Sequence, residues 1–144
     1  MQSTWGPLAG VVLGAFLVMV KDWMQHRRDR SRARYEYLRA LYADWIASRD
    51  KYIVCVHHPD SHPTLADELP GLQAKFMISA PDEIFKKCLN VQSLINNWGN
   101  ECDKIRDGLG NASLDDIQIA YAKLMEESDE MVKMMKYHLK SIDV

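Results

Sequence analysis

The chain has few cysteines and no charged side chain in its first twenty residues. Its 144 residues include three cysteines, and their positions form no disulfide framework, which indicates a reducing compartment. No segment alternates apolar and polar residues as a strand does, so a sheet-based fold is not expected. No catalytic motif stands out either. We therefore expect a protein that is not an enzyme, with no catalytic residue and no cofactor.

The uncharged opening segment predicts a transmembrane helix. Residues 5–20 are apolar, and residues 4–24 together are long enough to cross a hydrocarbon core of about 30 Å. Trp5 and Trp23 bracket the segment as interfacial aromatic residues. A secretory signal peptide would carry its cations before the apolar run, and a surface helix would have a polar face. Neither alternative fits.

The charge distribution predicts the orientation of this span. Residues 21–39 carry seven cations and three anions, whereas residues 40–144 carry eleven cations and seventeen anions. Because cations accumulate on the cytoplasmic side of a span, we expect a single-pass protein of the inner membrane. Its N-terminus lies outside and its C-terminal domain is cytoplasmic.

An arginine run follows the span directly. Its side chains can contact anionic lipid headgroups as well as set the orientation. Nucleic-acid binding is not expected, because these cations lie at the membrane and the rest of the chain is acidic. The run consists of Arg27, Arg28, Arg30, Arg32 and Arg34.

Three glycines recur within the span at intervals of four residues. Gly6, Gly10 and Gly14 form one flat strip on a helix, where a second backbone can approach closely. Glycine is also common in membrane helices without any such role. We favour self-association through this strip, and therefore expect a homo-oligomer with an undefined number of copies.

The rest of the chain carries apolar residues at helical spacing. Three long stripes advance in three- and four-residue steps, the period of one helix face. The first continues from the span without a breaker and is expected to end near Val56, before Pro59. Residues 64–78 are read as one short helix or as two turns broken at Pro70. The stripes are Tyr35, Leu38, Tyr42, Trp45, Arg49, Tyr52 and Val56; Ile84, Cys88, Val91, Ile95, Trp98, Cys102, Ile105 and Leu109; and Leu114, Ile117, Tyr121, Leu124, Ser128, Met131, Met135, His138 and Ile142.

Local signals mark where the later helices begin and end. Ser79 with Asp82, and Ser113 with Asp116, have the spacing of capping boxes. Gly108 is placed to end the second stripe. These signals separate the body into helices joined by short connections.

Together these elements predict an all-α protein in which an N-terminal transmembrane helix continues into an antiparallel three- or four-helix bundle. No stripe can bury its apolar face alone, so the stripes pack against one another. Prolines interrupt the chain too often for a continuous coiled coil. The expected domains are residues 1–24 as tail and span, 25–34 as a basic exit segment, and 35–144 as the bundle.

A histidine-rich loop after the first helix is a weak candidate for a metal site. His57, His58, Asp60 and His62 lie close together with Cys55, and imidazole, thiolate and carboxylate groups are zinc ligands. The spacing matches no closed structural site, however, and histidines also sit well beside the negative end of a helix. We therefore predict no metal here and keep the loop as the basis of a lesser hypothesis.

Other chemically active side chains have structural interpretations. Cys88 and Cys102 lie on the second apolar stripe, where cysteine behaves as a small hydrophobic residue, and His138 lies on the third. An acidic patch on the last helix is interpreted as a solvated face paired with Lys133 and Lys136. It consists of Glu126, Glu127, Asp129 and Glu130.

Methionines cluster near the C-terminus. Met131, Met134 and Met135 either fill the core or form an adaptable surface for a protein partner. Core packing is the simpler interpretation. Exposure of Met134 would favour a docking surface.

Two stretches, YEYLRALYADW in the first helix and ISAPDEI at a later helix start, complete a familiar layout. The chain resembles a loose, mostly unnamed group of small bacterial and phage single-pass proteins with a glycine-bearing span and an arginine-rich exit. The resemblance implies an accessory protein with a cytoplasmic helical bundle, and its motifs carry no activity.

Three functions remain in competition. The favoured one is a membrane-anchored interaction module that acts through self-association or a protein partner of unknown identity, with lipid as its other partner. The second is a membrane-permeabilising or spanin-like phage lysis protein, which the arginine run and the absence of a polar face on the span oppose. The third is a metal-dependent enzyme that uses the loop from His57 to His62.

Overall fold

A computed structural model describes residues 5–57, 65–108 and 113–142, with side chains described for residues 12–54, 70–108 and 113–142. The regular structure in these ranges is entirely α-helical and comprises four helices. The predicted all-α class is therefore confirmed, and the larger of the two expected bundles is the one observed. The helices are α1 (Trp5–His57), α2 (Leu65–Ser79), α3 (Asp82–Arg106) and α4 (Leu114–Ile142).

The helices run alternately in opposite directions. Ser79, at the end of α2, has its hydroxyl 3.5 Å from the hydroxyl of Tyr37 on α1. Late in α4, the Nδ1 atom of His138 lies 2.8 Å from the hydroxyl of Tyr42. Helices α2 and α4 thus end beside the middle of α1, as the antiparallel prediction requires.

The core lies between the apolar stripes predicted from the sequence. Burial is greatest in the middle of each stripe, where large side chains from all four helices meet. Trp45 of α1 contacts Phe76 of α2, with ring centroids 6.4 Å apart. The middle of each stripe is therefore correct as a core face, whereas Leu114 and Tyr121 of the third stripe are 70% and 36% exposed. The side chains of Val56 and Leu109 lie outside the described part of the chain. The most deeply buried side chains are Leu38, Trp45, Phe76, Cys88, Val91, Ile95, Trp98, Leu124, Ser128, Met131 and Met135.

The capping predictions have different outcomes. Ser113 and Asp116 form the reciprocal pair, since the Ser113 amide donates to the Asp116 carboxylate (3.1 Å) and the Asp116 amide donates to the Ser113 hydroxyl (3.2 Å). The Ser79–Asp82 box is wrong: Pro81 occupies the cap position of α3 without a side-chain hydrogen bond. Gly108 follows α3 with φ of 66°, the left-handed conformation that glycine adopts without strain.

Pro70 lies inside α2 rather than at a break. Proline has no backbone N–H and therefore removes one hydrogen bond from a helix interior. Here the helix continues through it to Ser79, so the single-helix alternative for this segment is the one observed.

Helix α1 extends far beyond the bundle. At about 1.5 Å per residue, its 53 residues span about 80 Å. Residues 12–34 are exposed except for the half-buried Val20. In the part of the chain that the structure describes, no helix has an apolar stretch long enough to cross a membrane. Of the predicted crossing, residues 4–24, Thr4 and the side chains of residues 5–11 lie outside the described part of the chain.

Candidate functional site

The N-terminal half of α1 exposes large apolar side chains around its whole circumference. Phe16, Leu17, Val18 and Met19 are consecutive, so at 3.6 residues per turn they point in four directions. Each has between 59% and 70% of its surface exposed. A contiguous exposed apolar surface of this kind marks a site of contact with membrane or protein. This apolar collar, residues 12–19, is therefore the first part of the candidate site.

An aromatic and basic boundary follows the collar. Trp23 is 62% exposed, and the guanidinium carbon of Arg27 lies 5.7 Å from the centre of its ring. Tryptophan and arginine with long apolar portions and polar ends are the side chains that occupy the interface between lipid and water. The order along α1 is therefore apolar collar, aromatic residue, then cations.

The five arginines of the run do not share one face. Arg27, Arg28 and Arg32 line a groove of about 790 Å³ beside the end of α4, whereas Arg30 and Arg34 do not line it. Arg28 and Arg32 are four residues apart and therefore lie on the same side of the helix. The run therefore consists of two sets: three arginines that line the groove and two that do not.

The glycine strip lies partly outside the described side chains. At Gly14, an added Cβ atom would meet nothing within 4 Å, so this face of α1 is open. Gly6 and Gly10 belong to α1, but their surroundings are outside the described part of the chain. Association through the strip stays a prediction.

The histidine-rich loop also falls outside the described residues. His57 ends α1, its side chain is not described, and His58, Asp60 and His62 lie in the gap between α1 and α2. Within the described ranges, no three His, Cys, Asp or Glu side chains are placed to hold a metal ion. The metal hypothesis is therefore untested at the loop itself.

Both described cysteines are free thiols within the bundle. Burial raises the pKa of the Cys88 thiol to about 11, and it also raises the pKa of Cys102, with the nearby Asp103 acting in the same direction. Since the thiolate is the reactive form, Cys88 is suited to packing rather than to nucleophilic chemistry.

His138 is the titratable side chain that links α4 to α1. Its ring Nδ1 shares a hydrogen bond with the Tyr42 hydroxyl, and burial raises the pKa of Tyr42 to about 12. Burial also lowers the pKa of His138, and the positive charge of Arg34 lowers it further. The neutral imidazole is thus the form that the bundle favours.

This arrangement predicts loss of stability on acidification. Because the pKa of His138 is lower in the folded than in the unfolded state, the unfolded state takes up the proton first as the pH falls below about 6.5. Chemical denaturation of the full chain at about pH 7.5 and about pH 5.5 measures the effect. We expect His138→Gln, which keeps a partner for Tyr42, to lose less stability between these pH values than the wild type. An equal loss in both proteins contradicts the assignment.

Two of the four carboxylates in the acidic patch of α4, Glu127 and Glu130, are paired across the helix interface, whereas Glu126 and Asp129 are exposed. The ammonium group of Lys87 on α3 lies 2.6 Å from the Glu127 carboxylate and also contacts that of Glu130. Asn90 donates a further hydrogen bond of 2.8 Å to Glu127. These contacts raise the pKa of Lys87 and lower that of Glu127. The expected partners Lys133 and Lys136 are replaced by a residue from another helix.

The methionine cluster is mostly interior. Met131 and Met135 are 0% and 2% exposed and pack in the core, while Met134 is half-buried against it. The proposed partner surface is therefore wrong for Met131 and Met135, because no partner can reach them without opening the bundle. Core packing, the alternative interpretation, is observed.

A buried polar pair in the core was not foreseen. The Arg49 guanidinium donates to the hydroxyl of Ser128, which is fully buried, and to the Asp50 carboxylate at 2.7 Å. It also lies over the Trp45 ring, 5.9 Å from the centre. The sequence does contain an indication of this contact, because Arg49 and Ser128 each occupy a position in an otherwise apolar stripe. A hydrogen bond thus links α1 to α4 within the core.

A double-mutant cycle measures this pair. Ser128→Ala leaves a buried guanidinium N–H without its acceptor, so we expect the free energy of unfolding to fall by about 1–3 kcal/mol. Arg49→Met with Ser128→Ala removes both polar groups and is expected to regain much of that loss. Denaturation of the four proteins of the cycle gives the coupling energy. Additive effects of the two substitutions contradict the pair.

Comparison with protein-family models, curated proteins and solved structures finds no match to this chain. The functional argument therefore depends on the residues described above.

Proposed function

We propose that this protein is a membrane-anchored helical module that presents its bundle at the inner face of a membrane and acts through association with other proteins, including further copies of itself. The observation that carries this proposal is the apolar collar, which is exposed on every side of α1. Hydrocarbon is the environment in which such a surface is stable, because water is unfavourable to all of its faces at once.

The continuity of α1 supports the role of an anchor. The same helix includes the collar and the core residues Leu38 and Trp45, without a break in the described residues between them. At about 1.5 Å per residue, residues 20–34 separate the collar from the bundle by about 23 Å. A rigid helix of this kind would hold the bundle at a set height above the membrane surface.

The state of the reactive side chains favours binding over catalysis. Cys88 is buried with a raised pKa, and His138 is engaged by Tyr42. The carboxylates of Glu127 and Glu130 are paired with Lys87. These groups stabilise contacts between helices. A tethered bundle also meets other membrane proteins at high effective concentration, so weak contacts suffice.

A module of this kind agrees with the resemblance to small bacterial and phage single-pass proteins. It assigns the bundle to the cytoplasm because the arginine run follows the collar directly, and cations of this kind stay on the cytoplasmic side.

Site-resolved cysteine labelling in intact cells tests both anchor and orientation. A membrane-impermeant maleimide is expected to label Ser3→Cys on the outside, and to label the half-exposed Cys102 only after the membrane is permeabilised. Cys88 serves as the internal control, because it is buried and stays unlabelled in the folded protein. Labelling of Cys102 in intact cells overturns the orientation. Recovery of the full chain in the detergent-free soluble fraction overturns the anchor.

Self-association is tested at the glycine strip. Gly10→Ile places a branched side chain where a second helix is expected to approach, so crosslinked dimers should decrease several-fold relative to wild type. Ala15→Ile on another face of the same helix is the matched control and should leave crosslinking unchanged. If both variants crosslink like the wild type, the strip is not the interface.

A further inference from the structure

The groove beside the end of α4 lies on an extension of the core face of α1. Tyr35 belongs to the first apolar stripe, and residues 24, 28 and 31 continue the same face toward the N-terminus by helical steps. Helix α4, which covers this face within the bundle, ends at Ile142. Above Ile142 the face of α1 therefore continues as one wall of an open groove of about 790 Å³.

The lining of the groove changes character along α1. Trp23 and Met24 form its N-terminal end, and the three arginines Arg27, Arg28 and Arg32 follow along the α1 wall, together with Ser31, Tyr35 and Glu36. Arg28 lies about 6 Å and Arg32 about 12 Å along the helix axis from Met24. A headgroup layer is about 5–8 Å thick on each side of the hydrocarbon. The cations of the groove thus lie at, and just beyond, the depth of lipid phosphates when Met24 is at the hydrocarbon boundary.

The direction of the side chains matches this placement. Side chains on an α-helix lean toward its N-terminus, which in α1 is the end that holds the collar. Arg28 and Arg32 are exposed, and each can present its guanidinium fork to the same anionic group between them, since they are four residues apart.

Charge in the groove is complementary to a single anion. Three guanidinium groups line it, and the acidic residue among the lining side chains is Glu36. The Glu36 carboxylate lies 4.0 Å from the guanidinium of Arg39, which offsets part of its charge. Arginine binds phosphate in a bidentate manner and loses little hydration when it does so.

We propose that this groove binds one anionic phospholipid of the membrane, with the phosphate between Arg28 and Arg32 and an acyl chain against Trp23 and Met24. The proposal rests on the proposed anchoring of α1 in the membrane. It goes beyond that anchoring because it assigns one lipid to each chain. It also gives the arginines different roles: Arg28 and Arg32 hold the lipid, whereas Arg30 contributes only charge. Ile142 closes the groove on the side of α4, so the bound lipid also contacts the end of the bundle.

Native mass spectrometry of the full chain in a non-ionic detergent tests the site. The probe is a short-chain phosphatidylglycerol, with the corresponding phosphatidylcholine as the neutral control. We expect one phosphatidylglycerol per chain, with little phosphatidylcholine retained. Arg32→Gln should weaken phosphatidylglycerol binding about tenfold, whereas the charge-matched Arg30→Gln should weaken it less than about twofold. Arg32→Lys, which keeps the charge but lacks the fork, should lie between them.

Each other result overturns the proposal. Equal weakening by Arg30→Gln and Arg32→Gln shows a general electrostatic attraction, and equal retention of the two lipids removes the requirement for an anionic headgroup. Displacement by inorganic phosphate alone shows an anion site that does not need the acyl chain. Because this measurement is made in detergent, its failure is separate from failure of the anchor, which the cysteine labelling in cells reports.

Discussion

Replacement of Trp45 by alanine is expected to lower the free energy of unfolding by about 3–5 kcal/mol. The side chain is 1% exposed and lies where α1 meets α2, against Phe76 and beneath the Arg49 guanidinium. Its removal leaves a cavity that the neighbouring helices can fill only in part. Since small domains are stable by about 5–15 kcal/mol in total, the variant would lie close to the limit of folding.

The labelling rate of Cys88 during denaturation measures this loss. The thiol is buried in the folded protein, so its modification reports opening of the core. Trp23→Ala is the matched control, because Trp23 lies on the same helix but is 62% exposed. We expect that control to label Cys88 at the wild-type rate. A small effect of Trp45→Ala, similar to the control, would mean that Trp45 is not a central core residue.

Leu13→Arg is expected to abolish stable association with neutral bilayers. Exchange of a leucine for an arginine near the centre of a span costs about 3–4 kcal/mol, which is a change of more than a hundredfold in partitioning. Leu13 is 61% exposed, so the substitution leaves the bundle intact. Flotation of the full chain with phosphatidylcholine vesicles measures the effect without any contribution from anionic lipid.

The control for this prediction adds the same charge elsewhere on α1. Ala33→Arg lies in the arginine run and is exposed, so it should float with the vesicles as the wild type does. Normal flotation of Leu13→Arg would show that the collar does not enter the bilayer. That result would not contradict the fold described for the bundle.

The helices and their buried faces were predictable because both depend on local spacing. The stripe containing Ile84, Cys88, Val91, Ile95 and Trp98 is buried throughout these five residues, as the three- and four-residue steps indicate. The Ser113–Asp116 box has the predicted hydrogen bonds, because its two residues are separated by a single helical turn. Local geometry alone decides both features.

The Ser79–Asp82 box does not form because Ser79 is still the last residue of α2 and Pro81 occupies the cap position of α3. The Ser79 hydroxyl lies near the Tyr37 hydroxyl of α1, and the chain passes through Ala80 and Pro81 before α3 begins. A cap residue has a non-helical backbone, so a serine that is still part of one helix cannot cap the next, whatever its spacing.

The sequence by itself determined the all-α class, the approximate positions of the helices, most of their buried stripes and the order of apolar collar and cations along α1. Each of these follows from residues within a few turns of one another. Tertiary structure decided that Lys87 pairs with Glu127, that Arg49 reaches Ser128, and that Arg28 and Arg32 share a groove with Ile142. These contacts join residues 40 to 114 positions apart, and they depend on how far each helix is shifted and rotated against its neighbours, which the packing of the whole core sets.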